Sequence, residues 1–182
     1  MKLNREVRAM RKPTAAVGSA LFFLVGPGIV AGLIPWWITG WQMEEPLPFW
    51  GPLRVIGVLM LLAGVSVLIQ AFVRFVVEGL GTPVPIAPPS RLVVGGMYRY
   101  VRNPMYVALI WVVVGQALIL GQLPLLLYGA AFLLISATFV RWYEEPKLKR
   151  QFGADYEVYR RAVPAWWPRL RPWNSEEKGG EN

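Results

Sequence analysis

The chain contains no cysteine and no histidine. The first absence excludes a disulfide framework, a thiolate nucleophile and a thiolate zinc site. The second removes the commonest general base and the commonest metal ligand. An enzyme of this composition is expected to carry its reactive group on a cofactor, with no resident metal. Charge is sparse as well: 16% of the 182 residues are charged, against 55% hydrophobic and 13% aromatic. Long uncharged apolar runs point to an integral membrane protein rather than a soluble domain. The net charge of +8 does not call for nucleic acid. The basic residues sit beside apolar runs, where orientation in the bilayer and contact with anionic lipid account for them.

Four apolar runs are present. The first, 15–39, is uncharged and long enough to cross ~30 Å of hydrocarbon. Pro27, between Gly26 and Gly28, predicts a kink within it. Gly28 and Gly32 form a GxxxG pair that permits close helix contact. The second run, 55–77, is interrupted only by Ser66, Gln70 and Arg74. The third starts at Pro104 and ends near Gly121, and the fourth extends from Pro124 to about Tyr143. Only Gln122 and Leu123 separate these two, so they form a tight antiparallel hairpin. The expected fold is all-α: an integral membrane bundle of four transmembrane helices plus a C-terminal interfacial amphipathic helix over 145–162, bent at Gly153.

Lysine and arginine orient the bundle. The first 14 residues hold Lys2, Arg5, Arg8, Arg11 and Lys12, whereas loop 40–53 and turn 121–124 hold none. Segment 74–103 holds four basic residues and the chain from 141 onward holds nine. This alternation places both termini in the cytoplasm, in the inner membrane of a bacterial or archaeal cell. Trp36, Trp37, Trp41 and Trp50 form a plausible aromatic belt on the far side.

One stretch is out of keeping with the apolar text around it, GGMYRYVRNPMY at 95–106. Asn103 suits an N-cap and Pro104 the first turn of a helix. Arg99 and Arg102 put positive charge beside a helix N-terminus, and Gly95 and Gly96 let backbone approach a ligand. The fourth run returns across the bilayer to end at Arg141, Glu144 and Glu145. Each hairpin arm is roughly 27–30 Å long, so the glutamates arrive at the depth of Arg102 and Asn103. Carboxylates at a helix C-terminus are unfavourable by up to about 1 kcal/mol each, so they call for partners: the arginines, or a ligand's ribose hydroxyls or ammonium. The Pro- and Gly-rich loop 78–90 is placed to form a flap over such a pocket. Taken singly, each of these residues suits an ordinary interface anchor or helix start; the combination marks a site.

The text RLVVGGMYRYVRNPMY, the apolar hairpin, and YEEPKLKRQFGADYEVYRRAVPAWWPRL together resemble a family of membrane methyltransferases. It includes isoprenylcysteine carboxyl methyltransferases, phospholipid methyltransferases and thiol methyltransferases. The resemblance covers about 80–170. It implies S-adenosyl-L-methionine as cofactor, with Leu92, Val93, Tyr98, Arg102, Asn103, Pro104, Met105, Tyr106, Glu144 and Glu145 binding it. Arg141 then engages an amphiphilic acceptor, and Glu145 is the base for an amine or thiol. Many members of the family have His where Asn103 stands and Pro where Met97 stands; Asn103 keeps its hydrogen bonding but carries no proton near neutral pH. Tyr98, Tyr100, Tyr106 and Trp142 are candidates for cation–π contact with the sulfonium, worth ~0.5–2 kcal/mol each, or are plain interface aromatics. The chain divides into a basic segment with two spans (1–77), a cofactor-binding region (78–173) and a disordered tail (174–182). Two alternatives stand beside this reading: an NADPH-dependent reductase of the sterol-reductase type, whose Arg-His-Pro-x-Tyr region is similar, and a non-enzymatic lipid-binding membrane protein.

Overall fold

The computed structural model describes residues 25–79 and 92–174. Among these residues there are helices and turns and no strand, as expected for an all-α chain. The helices are α1 (Val25–Thr39), α2 (Gly51–Gly79), α3 (Pro104–Leu120), α4 (Leu123–Phe139) and α5 (Glu145–Ala162). A 3₁₀ turn, Gly96–Arg99, precedes α3, and a π turn, Val140–Glu144, joins α4 to α5. Two stretches are long and apolar enough to cross a membrane, Gly51–Arg74 and Leu123–Ala162; α1 and α3 are shorter apolar helices. Leu59, Leu62, Leu127, Leu134 and Ile135 all stand exposed. So much outward apolar surface suits lipid and not water.

The tightest packing joins α2 to α3, antiparallel. Its cause is a period of seven in small residues: Gly57, Gly64 and Ala71 on α2, Ala108 and Gly115 on α3. A Cβ at Gly57 would lie 2.7 Å from the Gly115 carbonyl oxygen, and one at Gly64 would lie 2.9 Å from that of Ala108. The backbones therefore touch, as small residues permit when helices cross at a shallow angle. The GxxxG pair predicted for such contact has no such role within the described chain: a Cβ at Gly28 or Gly32 would meet nothing within 4 Å. Just past Pro27, α1 widens into a π turn over Ile29–Leu33. The carbonyl of Val30 there accepts the Tyr128 hydroxyl at 2.8 Å, and that of Ala31 accepts Gln116 Nε2 at 2.6 Å. These two polar pins hold α1 to the α3–α4 hairpin, where apolar packing alone gives little direction.

At one pole, loop 40–50 clasps the hairpin turn. Glu44 N–H donates to the Leu120 carbonyl at 2.7 Å, and Gln122 Nε2 donates to that of Gln42 at 3.1 Å. The two segments without lysine or arginine thus share one end of the molecule. Trp36, Trp37 and Trp41 are exposed there, but Trp50 is buried and its indole N–H donates to the Leu118 carbonyl at 2.8 Å. Trp50 is a packing residue and not part of a belt.

The opposite pole corrects a further expectation. Glu144 and Glu145 do not end a helix: backbone angles stay helical from Phe139 through Glu145, and α4 runs into α5 through the π turn. Pro146 explains the widening, since it lacks an N–H and crowds the carbonyl four residues back. The register shifts so that Glu145 N–H donates to Val140 O. The unfavourable dipole argument for these carboxylates therefore falls away. α5 is kinked at Gly153, where φ is +52° and ψ −124°, as the sequence predicts. The expected flap over 78–90 falls, beyond its first two residues, outside the described residues, and so does nearly all of the 174–182 tail.

Candidate functional site

The start of α3 and the π turn bring the two polar blocks together. Arg102 Nη1 donates to Glu145 Oε1 at 2.7 Å and to the Tyr156 hydroxyl at 3.1 Å, while its Nε donates to the Val163 carbonyl at 2.9 Å. The side chains of Arg102 and Glu145 are only 12% and 11% exposed. Arg141 and Arg160 each place Nη1 3.4 Å from Glu145 Oε2. Glu144 points elsewhere, and its Oε1 accepts the Tyr106 hydroxyl at 2.8 Å. Charged residues resume at Arg141, so Glu144 lies beyond the apolar crossing. Burial raises its carboxyl above the ordinary range, against the opposing pull of the Tyr106 hydrogen bond and the Lys147 charge.

A C-terminal strap completes this pole. Pro164, Pro168 and Pro172 keep the segment after α5 out of helix. Its backbone pairs with the loop before α3: Arg102 N–H donates to Pro164 O at 2.9 Å, Arg169 N–H to Tyr100 O at 2.9 Å and Trp173 N–H to Arg99 O at 3.0 Å. Asn103 stands at the N-cap position of α3 but makes no side-chain cap. Its amide instead reaches the strap, donating to Ala165 O at 3.1 Å. Gly96 has φ +56°, and a Cβ there would lie 2.9 Å from Arg74 Cγ. Gly96 thus admits the Arg74 side chain of α2.

Two cavities flank the Arg102–Glu145 pair. The first, about 90 Å³, is lined by Leu92, Val93, Tyr98, Arg102, Asn103, Glu144 and Glu145 among the predicted residues. Pro104, Met105 and Tyr106 do not line it; Met105 packs on the Ala71–Val93–Tyr98 cluster, and Tyr106 holds Glu144. The far wall is one that sequence reasoning missed: Leu148, Phe152, Tyr156 and Tyr159 of α5. Their spacing of four, four and three is the apolar stripe of an amphipathic helix. That stripe was legible, but it reads as a face for the bilayer, whereas here it closes a cavity. Tyr159 anchors it, its buried hydroxyl donating to Tyr98 O at 2.6 Å. Trp142 is 80% exposed and belongs to neither wall.

The second cavity is an open groove of about 300 Å³, reached by Arg102, Arg141, Glu145, Arg160 and Arg161, with Trp166 at its side. Arg141 lies here and not in the smaller cavity, with its side chain 68% exposed.

A site at the polar end of apolar helices, with two adjacent carboxylates, aromatic rings and an arginine-lined opening, and without histidine or cysteine, is suited to group transfer from a bound donor. A family model described as phospholipid methyltransferase matches residues 53–155, more than half of the chain. The chain belongs to that family, which is one of methyltransferases. No curated protein and no solved structure matches it.

Proposed function

We propose that this protein is an S-adenosyl-L-methionine-dependent methyltransferase held in the membrane by four spans, with both termini in the cytoplasm. On this reading the bundle acts on an amphiphilic or lipid-like acceptor that enters from the bilayer. The observation that carries the reading is the joining of Arg102 and Asn103 to Glu144 and Glu145 around one cavity. The donor set fits the cofactor. Two carboxylates suit its ammonium and hydroxyls, and the rings of Tyr98, Phe152, Tyr156 and Tyr159 suit its base or its sulfonium. At about 90 Å³ the smaller cavity is below the ~300–1,000 Å³ usual for small-molecule sites, and the acceptor groove of about 300 Å³ adjoins it.

The cofactor supplies an already activated methyl group, which makes positioning the main task of the protein. Leu92, Val93, Tyr98 and Asn103 bound the cofactor side. Tyr106 fixes the direction of Glu144, and Arg102 fixes that of Glu145. Glu145 borders both cavities, which suits it to receive a proton from an amine or thiol acceptor; a carboxylate acceptor has none to lose. Arg141, on the groove side only, is placed to meet the acceptor.

Purified protein in a nonionic detergent tests the reading by ligand-dependent thermal protection. S-adenosylmethionine and its demethylated product are expected to raise the unfolding temperature, and NADPH is not. Protection by NADPH alone favours a reductase, and no response to any of the three leaves the methyltransferase reading without support.

A further inference from the structure

We infer that Arg160, Arg161 and Trp166 build a subsite for an anionic group, a carboxylate or phosphate carried on an apolar chain. As an acceptor subsite this rests on the methyltransferase reading; as a binding site it does not. The groove gathers four guanidiniums, from Arg102, Arg141, Arg160 and Arg161, against the single carboxylate of Glu145. Glu145 gives one oxygen to Arg102 at 2.7 Å and shares the other between Arg141 and Arg160 at 3.4 Å each. Strong charge-assisted pairs close to about 2.7–2.9 Å, so one oxygen is stretched between two cations. Glu157 offsets Arg160 from the far side at 3.6 Å and does not line the groove. A positive excess remains, and a bound anion relieves it.

The rest of the lining is apolar: Ala137 and Val140 at the end of the α4 crossing, then Ala165 and the indole of Trp166. Leu134 and Ile135, a few residues earlier on α4, face outward and are exposed. Ala137 of the groove lies one helical turn after Leu134, so the apolar end of the groove adjoins outward apolar surface of α4, and a chain can lie there while its anionic end meets the arginines. Arg160, Arg161 and Trp166 also lie past residue 155, where the match to the family model stops.

The test uses the full chain in maltoside micelles and four probes of equal chain length: decyl phosphate, decanoate, decanol and decyltrimethylammonium. Either or both anions are expected to bind about tenfold or more tightly than decanol and the cation, as one charge-assisted contact implies. The tighter anion identifies the group. Inorganic phosphate and acetate, lacking a chain, are expected to bind at least tenfold more weakly than their decyl counterparts. R161Q is expected to reduce anion affinity about tenfold and R161K by less, with unfolding temperature and S-adenosylmethionine binding unchanged. Trp166→Ala is expected to weaken the decyl probes and not the chainless ions. Equal affinity for all four decyl probes, or anion binding indifferent to R161Q, overturns the proposal. So does inorganic phosphate binding as tightly as decyl phosphate. Anion preference lost in R161Q, in a protein that binds no S-adenosylmethionine, upholds the subsite and removes the methyltransferase reading.

Discussion

Arg102 and Glu145 are separated by 43 positions in the chain, yet the guanidinium of one meets the carboxylate of the other at 2.7 Å. Both side chains are nearly out of solvent. The pair ties α3 to the π turn and forms the partition between the two cavities. Removing one partner of a buried pair leaves a charge without compensation, which costs about 3–5 kcal/mol. E145Q is therefore expected to lower the unfolding temperature sharply and to abolish cofactor-dependent protection. The double variant R102M/E145L removes both charges and is expected to regain much of the stability but no cofactor affinity. Thermal unfolding with and without S-adenosylmethionine separates the two effects. A double variant that still binds the cofactor removes the pair from the binding machinery.

Glu144 gives a dependence on pH. Its carboxyl is raised above the ordinary value of 4.5, chiefly by burial. A carboxyl with a raised folded-state pKa holds its proton more readily folded than unfolded. Its contribution to stability is full below the ordinary value and is lost as pH rises through the raised one. Glu144→Gln, which stays neutral throughout, is expected to match the wild type in acid and to exceed it above that window. Cofactor affinity is expected to follow the opposite course, strengthening over the same interval as the carboxylate ionises, and to be flat in the variant. Unfolding temperature and binding, both measured from about pH 3, below the ordinary carboxyl value, to about pH 8, check the two signs.

The juxtaposition at the site was legible because a hairpin with a two-residue turn returns its far end to the depth of its start, and both ends carried charge. Gln122 and Leu123 thus suffice to locate Glu144 and Glu145 near Arg102. Features that depend on a third element were not legible in this way. Asn103 looks like a cap in its own neighbourhood, and only the return of Pro164 and Ala165 past it redirects its amide. Tyr156 and Tyr159 show an apolar stripe, but the sequence does not say whether bilayer or cavity covers it. The seam of Gly57, Gly64 and Ala71 was plainly periodic. A spacing of seven marks a close helix seam only once a partner helix with small residues in matching register, here Ala108 and Gly115, lies against it.

That seam gives a comparison of glycines. At Gly57 and Gly64 a methyl group would enter within 3 Å of backbone atoms of α3. The helices must then separate, and overpacking of this kind costs typically about 1–3 kcal/mol. At Gly32 the same methyl meets nothing within 4 Å. Replacing glycine by alanine inside a helix there is worth up to about 1 kcal/mol in favour of the folded state. G57A and G64A are expected to lower the unfolding temperature and G32A to leave it unchanged or raise it. Equal loss at all three would mean that Gly32 also carries a close contact, such as one with a second copy of the chain.

Asn103 separates local from tertiary reasoning in one position. If its side chain capped α3, Asn103→Ser would retain the cap, because serine serves there nearly as well, and only Asn103→Ala would cost about 1 kcal/mol. The structure shows no cap bond from Asn103 and instead an amide donated to the Ala165 carbonyl at 3.1 Å. Serine is too short to follow the asparagine amide to that carbonyl. The two variants are therefore expected to lose the same amount, about 0.5–1.5 kcal/mol for one hydrogen bond, and to loosen the strap against loop 99–103. Hydrogen exchange at the Arg169 and Trp173 amides, which bond Tyr100 and Arg99 across the same seam, reads the loosening directly. Faster exchange in both variants is the expected result, whereas protection retained in Asn103→Ser would return Asn103 to the role of a helix cap.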